Sequence, residues 1–178
     1  MYHWDTIKKF PHANYRVTAP WSHLERMIKD YQDDQGLILC PDFQRGHVWT
    51  EEQQIRFVEF ALKGPDSGLE IYLNHPNWMH FSRKTKYNEF VLVDGLQRLT
   101  AVLKFLGNEI PAYGCWRKDY TGYAHIPVDH HFNINIASLP TKAEVLQWYI
   151  DFNAGGTPHD PLEIERVKKL LEEERDAS

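Results

Sequence analysis

Residues 89–107, EFVLVDGLQRLTAVLKFLG, contain the pattern that decides the fold. The apolar run up to Val93 is typical of a buried strand, and the residues after Gly95 place apolar side chains at helical spacing as far as Gly107. A strand that turns directly into a helix at Asp94 and Gly95 exposes the first backbone N–H groups of that helix. The sequence therefore predicts a strand–turn–helix corner that either reverses the chain or holds an anion.

The elements on both sides of this corner alternate irregularly between helix and strand. Apolar periodicity predicts a helix over residues 21–35, and capping residues predict helices that begin after Thr50, Thr141 and Asp160. Four short apolar or alternating runs predict strands: LILC (37–40), LEIYLN (69–74), NEFVLVD (88–94) and FNINI (132–136). Counting these four, we expect about five or six strands that helices do not strictly separate, which predicts an α+β fold with a mixed sheet.

The composition is that of one folded domain. The chain has 178 residues, with six Trp, nine Tyr and nine Phe, which is enough to build a core, and we expect a single domain over residues 1–178. No apolar run approaches the length of a membrane span and no signal peptide is visible, so we expect no membrane partner and a cytoplasmic location. The net charge of −5 disfavours indiscriminate binding to nucleic-acid phosphates. Cys40 and Cys115 are expected to be free, buried thiols.

The corner itself carries residues that suit phosphate chemistry. Gly95 lets an anion approach the backbone without a Cβ in the way, and Arg98 can direct two donors at phosphate oxygens. Gln97 can donate or accept beside it, and Asp94 is a suitable ligand for a divalent cation. The alternative is that Asp94 only caps the helix while Arg98 pairs with a surface carboxylate.

Two further stretches carry polar or glycine-rich loops. PDFQRGHVW, residues 41–49, places Gln44 and Arg45 in a loop, and we expect its aromatic residues Phe43 and Trp49 to be core props. FNAGGTPHDPLE, residues 152–163, is expected to pass between two helices as a segment whose backbone can wrap a ligand. The polar and glycine positions of that segment are Asn153, Gly155, Gly156 and Thr157.

Together, PDFQRGHVW, VDGLQRLTAV and FNAGGTPHDPLEIER resemble the motifs P-x-Y/F-Q-R-x-x-V-W, D-G-Q-Q-R-L-T-A and F-x-x-x-N-x-G-G-T-P-L. These are the motifs of the N-terminal domain of GmrSD-type modification-dependent restriction endonucleases, a family related to the ParB/sulfiredoxin-like fold. The resemblance covers about residues 20–170. It implies an α+β ParB/sulfiredoxin-like domain, with a small mixed sheet flanked by helices, that binds and in working systems hydrolyses nucleoside triphosphates with Mg²⁺. It also implies a restriction, phage-defence or other DNA-related process in a bacterial or phage-infected cell.

The resemblance also implies roles for individual residues. Asp94 would bind the metal, and Gln44 or Gln97 would orient an attacking water. The implied catalytic residues are Asp94, Gln97, Arg98, Gln44 and Arg45, and the implied nucleotide-binding residues are Gly95, Arg98, Arg45, Asn153, Gly155, Gly156 and Thr157.

One departure from the motif leaves other functions open. Leu96 stands where the family usually has Gln, so the site is expected to be one polar side chain short, which weakens catalysis more than binding. A metal-dependent DNA nuclease acting at the same corner and a non-catalytic binding module are the alternatives. Expected partners are a nucleoside triphosphate and either DNA or a partner nuclease or effector protein. The last helix has an apolar face that serves either oligomerisation or packing onto its own domain: Ile164, Val167, Leu170 and Leu171.

Overall fold

The structure is a computed structural model that describes residues 11–46, 48–78, 85–121, 130–155 and 161–176. Its elements, in chain order, are β1 (Tyr15–Pro20), α1 (Trp21–Gln35), α2 (Glu51–Ala61), β2 (Glu70–Asn74), β3 (Val91–Asp94), α3 (Leu96–Leu106), β4 (His131–Ala137), α4 (Lys142–Gly155) and α5 (Pro161–Asp176), with a short 3₁₀ turn at Arg117–Asp119. The predicted Asp160 cap lies outside the described residues.

Four strands of the described part form one sheet in the order β1-β4-β2-β3. β1 pairs antiparallel with β4, β4 pairs parallel with β2, and β2 pairs antiparallel with β3. The expected α+β fold with a mixed sheet is therefore confirmed. One strand, β1, was not predicted. The strand prediction for LILC was wrong, because this segment contributes only a single parallel bridge between Ile38 and Val91.

The sheet is covered by helices on both faces. Phe132, Ile134 and Ile136 of β4 belong to one buried cluster, which also takes in apolar side chains of α1, α2 and α3. The second cluster joins Val91 and Val93 of β3 to apolar side chains of α4 and α5. β4 alternates in the way a strand must, since Asn133 and Asn135 occupy the positions between its apolar residues. One sheet face is therefore apolar throughout, and the other combines apolar and polar positions.

Local capping signals explain where most helices begin and end. Thr50 and Gln53 form a reciprocal capping box at α2, and Gly36 ends α1 in the left-handed conformation. Both cysteines are free as expected, but the prediction that they are buried was wrong, because both are exposed. In the described ranges, no helix is long and apolar enough to cross a membrane. The apolar face of α5 packs within the domain, since Val167 and Leu171 are buried against the second cluster.

Candidate functional site

The corner between β3 and α3 depends on Gly95. Its φ of 111° is a conformation that residues with a side chain rarely adopt, and a Cβ at this position would lie 2.5 Å from Ile71 Cδ1. Gly95 is also the N-cap of α3 and has no side chain with which to cap it. Within the described residues, the backbone N–H groups of Leu96, Gln97 and Arg98 have no acceptor. The corner therefore presents an uncapped helix N-terminus with its partial positive charge.

Arg98 is anchored beside this N-terminus. Its Nη2 donates to the backbone oxygen of Glu70 at 3.0 Å and to the carboxylate of Asp94. The Arg98 Nε is buried and has no acceptor in the described part of the chain. The alternative interpretation of the corner is right in one part. Asp94 does not cap the helix, because Gly95 holds the cap position. Arg98 does pair with a carboxylate, that of Asp94 itself. The Nη2 bonds use two of the five guanidinium N–H groups, so the two N–H groups of Nη1, the buried Nε–H and one oxygen of Asp94 have no partner among the described residues.

Gln97 fastens the first motif to the corner. Its Oε1 accepts from the backbone N–H groups of Val48 at 3.0 Å and Trp49 at 3.1 Å, and its Nε2 donates to the oxygen of Gly46 at 3.2 Å. These bonds occupy the carbonyl oxygen and one amide hydrogen. The arrangement favours a role in holding the loop in place over the predicted alternative of orienting a water.

Arg45 of the same loop is tied to α5 through Glu163. The Glu163 side chain, only 6% exposed, lies 3.2 Å from Arg45 Nε, and its Oε1 accepts from the Arg45 backbone N–H at 3.1 Å and from the Tyr149 hydroxyl at 2.6 Å. Burial and the neighbouring Glu163 carboxylate raise the pKa of Tyr149. The sequence reading missed Glu163, because an acid in the first turn of a helix is usually part of its cap.

The remaining residues of the first motif pack or face the interior. Gln44 is half-buried, and its Oε1 is buried without a donor in the described ranges. Phe43 is fully buried with its ring 5.4 Å from that of Tyr149, and Trp49 packs against Phe57 at 5.4 Å. The prediction that Phe43 and Trp49 are core props is confirmed.

The third motif differs from its prediction. Asn153 and Gly155 lie within α4, which ends at Gly155, so they do not belong to a loop between two helices. The Asn153 Nδ2 donates to the backbone oxygen of Tyr149 at 2.7 Å, one helical turn earlier. Gly156 and Thr157 lie outside the described residues, and their predicted binding role stays a prediction.

The sheet adds a polar row that the sequence reading did not assign to the site. Arg16 pairs with Asn135, Asn135 with Tyr72, and Tyr72 with Asp94, so the row crosses the four strands and ends at the corner. Burial and the carboxylates of Glu70 and Asp94 raise the pKa of Tyr72, whereas Arg16 acts in the opposite direction. Alternation in β4 and β2 was the signal that could have placed Asn135 and Tyr72 on one face.

Leu96, the residue at which this chain departs from the family motif, is buried. Its side chain is 7% exposed and belongs to the first buried cluster. Leu96 is therefore part of the core, at the position where the family motif has a polar side chain.

The comparison with protein families agrees with two of the three motifs. A model for the GmrSD restriction endonuclease N-terminal domain matches residues 24–136, well over half of the chain. The chain belongs to this family. The match contains the first two motifs of this GmrSD N-terminal domain, whereas the third motif lies beyond it. Searches of curated proteins and of solved structures found no match to the GmrSD-family chain.

Proposed function

We propose that this GmrSD-family N-terminal domain binds a nucleoside triphosphate with Mg²⁺ at the corner between β3 and α3, and that it hydrolyses the nucleotide in a cytoplasmic restriction or related defence process. The observation that carries the proposal is the uncapped N-terminus of α3 with Arg98 anchored at its first turn. Backbone N–H groups, the helix dipole and a guanidinium then converge on one place, which suits a phosphate group.

The residues present fit a magnesium ion. Mg²⁺ in nucleotide sites is held by one or two carboxylates together with phosphate oxygens and waters. Asp94 offers one carboxylate oxygen that Arg98 does not occupy, and its side chain is 36% exposed. When bound, the ion would neutralise phosphate charge. Asp94 would hold the ion, and Arg98 would keep the Asp94 carboxylate in position.

Hydrolysis would use the loop of the first motif. Arg45, whose side chain is one-third exposed, donates its backbone N–H to Glu163 and has its Nε within ion-pair distance of the same carboxylate, so its outer guanidinium nitrogens are available to stabilise charge on a transferred phosphoryl group. Gln44 Oε1 has no donor within the described residues and is the better candidate for accepting a hydrogen bond from an attacking water. Gln97, which is already engaged with the loop, would maintain this geometry.

The test is thermal unfolding with ATP, GTP, CTP or UTP, each with and without Mg²⁺. A ligand at a hundred times its Kd stabilises the folded state by about 2.7 kcal/mol, which is about 5–10 °C for a domain of this size. Arg98→Lys and Asp94→Asn should lose the shift, and Arg26→Ala, in an exposed helix pair with Asp30, should keep it. No shift with any nucleotide in the wild type would refute the proposal.

Turnover is measured on the same proteins as release of inorganic phosphate. Gln44→Ala should keep the thermal shift and lose phosphate release, which separates binding from hydrolysis. Plasmid nicking with Mg²⁺ in the absence of nucleotide would instead favour a nuclease at this corner, and the effect of DNA on phosphate release tests DNA as a partner.

A further inference from the structure

The two edges of the sheet differ in whether another segment covers them. At the β3 edge, Ile38 donates its backbone N–H to the oxygen of Phe90 at 2.8 Å and accepts from the N–H of Leu92 at 3.0 Å. β1 forms the opposite edge and pairs with β4 on one side only. An uncovered edge strand is a template for pairing with another extended chain, which is why native sheets protect their edges.

The backbone groups on the outer side of β1 belong to Arg16 and Thr18. Trp21 donates its N–H to the oxygen of His130 at 2.9 Å, and the same register runs unbroken back to Tyr15. Alternate residues of an antiparallel strand direct both backbone groups at the partner, so Arg16 and Thr18 direct theirs away from β4. Among the described residues, nothing accepts from these two N–H groups. β1 therefore offers two donors and two acceptors to a further strand.

β1 lacks the usual protection of an edge strand. It contains no lysine and no bulge, and its single proline, Pro20, stands at its last position. Arg16 and Thr18 are exposed, and the ring of Tyr15 on the other face is 38% exposed although it packs against Trp78. In the described part of the chain, the hydrogen-bonding side of this strand and part of its apolar side are thus open.

The outer side of the strand is complementary to a second copy of itself. If two β1 strands pair antiparallel about Val17, Arg16 of each copy faces Thr18 of the other, and the two pairs exchange N–H and C=O groups in four hydrogen bonds. Centring the pair on Arg16 would oppose two like charges. Centring it on Thr18 would set the Arg16 oxygen against the ring of Pro20, which has no N–H. The register about Val17 avoids both conflicts.

The apolar face of the strand fits the same arrangement. Tyr15, Val17 and Ala19 share that face, because each is paired with an apolar residue of β4. About Val17, the large Tyr15 of one copy lies opposite the small Ala19 of the other. We propose that two copies of this chain pair through β1, which joins the four strands of each copy into one eight-stranded sheet. The dimer requires no nucleotide, so the inference is independent of the proposed function.

The dimer is expected to be reversible. One pair of edge strands buries less surface than a standard interface of about 1,200–2,000 Å², and smaller interfaces belong to weak complexes. We therefore expect a Kd on the order of 10–100 μM. Because the two-fold axis stands perpendicular to the sheet, the polar rows of both copies open on the same side of it.

The experiment measures the oligomeric state of the whole chain by sedimentation equilibrium, and amide hydrogen exchange by NMR, between about 1 and 300 μM. A monomer–dimer equilibrium is expected. The Arg16 and Thr18 amides should become about two- to fivefold better protected at high concentration, in line with the dimer fraction. The Val17 and Ala19 amides already face β4 and should change less, which locates the interface on the outer side of β1.

Thr18→Pro tests the backbone pairing. It removes the outer N–H and leaves the bonds between β1 and β4 in place, because the Thr18 N–H does not face β4. Each dimer loses two of its four inter-copy bonds, so the affinity should fall at least about tenfold. The matched control is Thr18→Ala, which keeps the N–H and should stay within about threefold of the wild type.

Thr18→Lys and Thr18→Glu test the register. Position 18 faces Arg16 of the other copy twice in each dimer, so Lys should weaken the dimer and Glu should strengthen it, with Kd values at least about fivefold apart at low salt. The net charge is −5, so a general charge effect would act in the opposite direction. The controls Gln32→Lys and Gln32→Glu, at an exposed position of α1, should give nearly equal Kd values.

Three results would overturn the inference. The first is a chain that stays monomeric up to about 300 μM. The second is a dimer that Thr18→Pro leaves unchanged, or that Thr18→Lys strengthens relative to Thr18→Glu, since either places the interface elsewhere. The third is a dimer that forms only after removal of residues 1–10, which would make that segment the occupant of the edge. If Thr18→Pro lowers the Tm by more than about 5 °C, the Lys and Glu variants decide the question.

Discussion

Replacement of Gly95 by alanine tests whether the corner is built as described. The new Cβ would lie 2.5 Å from Ile71 Cδ1, a distance that forces a shift, and the residue would have to hold a φ of 111°. The left-handed conformation costs a residue with a side chain about 1–2 kcal/mol. Overpacking of a core adds about 1–3 kcal/mol. Gly95→Ala should therefore lower the free energy of unfolding by about 2–5 kcal/mol and the Tm by about 5–15 °C.

A double-mutant cycle separates the two causes. Ile71→Val removes the Cδ1 atom that the new Cβ would meet, and alone it should cost about 0.5–1.5 kcal/mol. The double variant should be about 1–3 kcal/mol more stable than the sum of the two single changes, because the clash is relieved. The backbone penalty at Gly95 would remain, so the double variant stays less stable than the wild type.

Urea unfolding, followed by circular dichroism, measures all four proteins of the cycle. The two other near contacts of the new Cβ, at 3.4 Å from Ile71 Cα and 3.5 Å from the Glu70 oxygen, are ordinary van der Waals distances, so the positive φ is what prevents complete rescue. Effects that add within about 0.5 kcal/mol would refute the claim that Ile71 Cδ1 closes this position to a side chain.

Three further changes test other contacts. Gln97→Ala should speed hydrogen exchange of the Trp49 amide at least tenfold, because the oxygen that accepts from this amide is removed. Gln97→Glu keeps an accepting oxygen and should retain the protection. Unchanged exchange in both variants would show that the loop does not depend on this side chain. Glu163→Gln should lower the free energy of unfolding in urea by about 1–3 kcal/mol. The control Glu165→Gln, at an exposed position, should lower it by less than about 0.5 kcal/mol. Equal losses would contradict the buried ion pair. Burial lowers the pKa of His75 in the folded state, so the unfolded state takes up a proton first and stability falls as the pH drops below about 6.5. His75→Gln should make stability depend less on pH between pH 6.5 and 5. An unchanged pH dependence would show that another group causes it.

The features that the sequence predicted well are those fixed by local chemistry. The capping box of Thr50, the end of α1 before Gly36 and the turn at Gly95 each depend on residues within one helical turn, and the structure contains all three. The corner could likewise be predicted, because strand, glycine and helix follow one another without a gap. Local signals of this kind do not require knowledge of the partner surface.

The features that were missed depend on distant partners. In β1 only Thr18 is an exposed residue between two less exposed ones, and the segment becomes a strand because β4, more than a hundred residues later, pairs with it. LILC, by contrast, is apolar but pairs only through Ile38. Strand formation is decided by such long-range pairing, which short apolar runs do not reveal.

The candidate site shows the same division. The pairing of Arg98 with a carboxylate was considered, since both residue types were visible, but its partner Asp94 was assigned to the metal and the cap. Glu163 was read only as part of a helix start, and its link to Arg45 spans 118 residues of sequence. Asn153 was placed in a loop because its neighbours include two glycines, yet it lies within α4, where its side chain donates to the backbone oxygen of Tyr149.

The bond between Glu163 and Arg45 has a consequence for how the domain assembles. During synthesis the loop that contains Arg45 leaves the ribosome long before α5, and its ion-pair partner does not yet exist. Closing a contact over so long a stretch of chain is slow and entropically costly compared with local helix formation. The loop can reach its final geometry only after α5 has docked. Nascent chains that are interrupted before α5 would therefore contain the first two motifs in full and still lack a completed site.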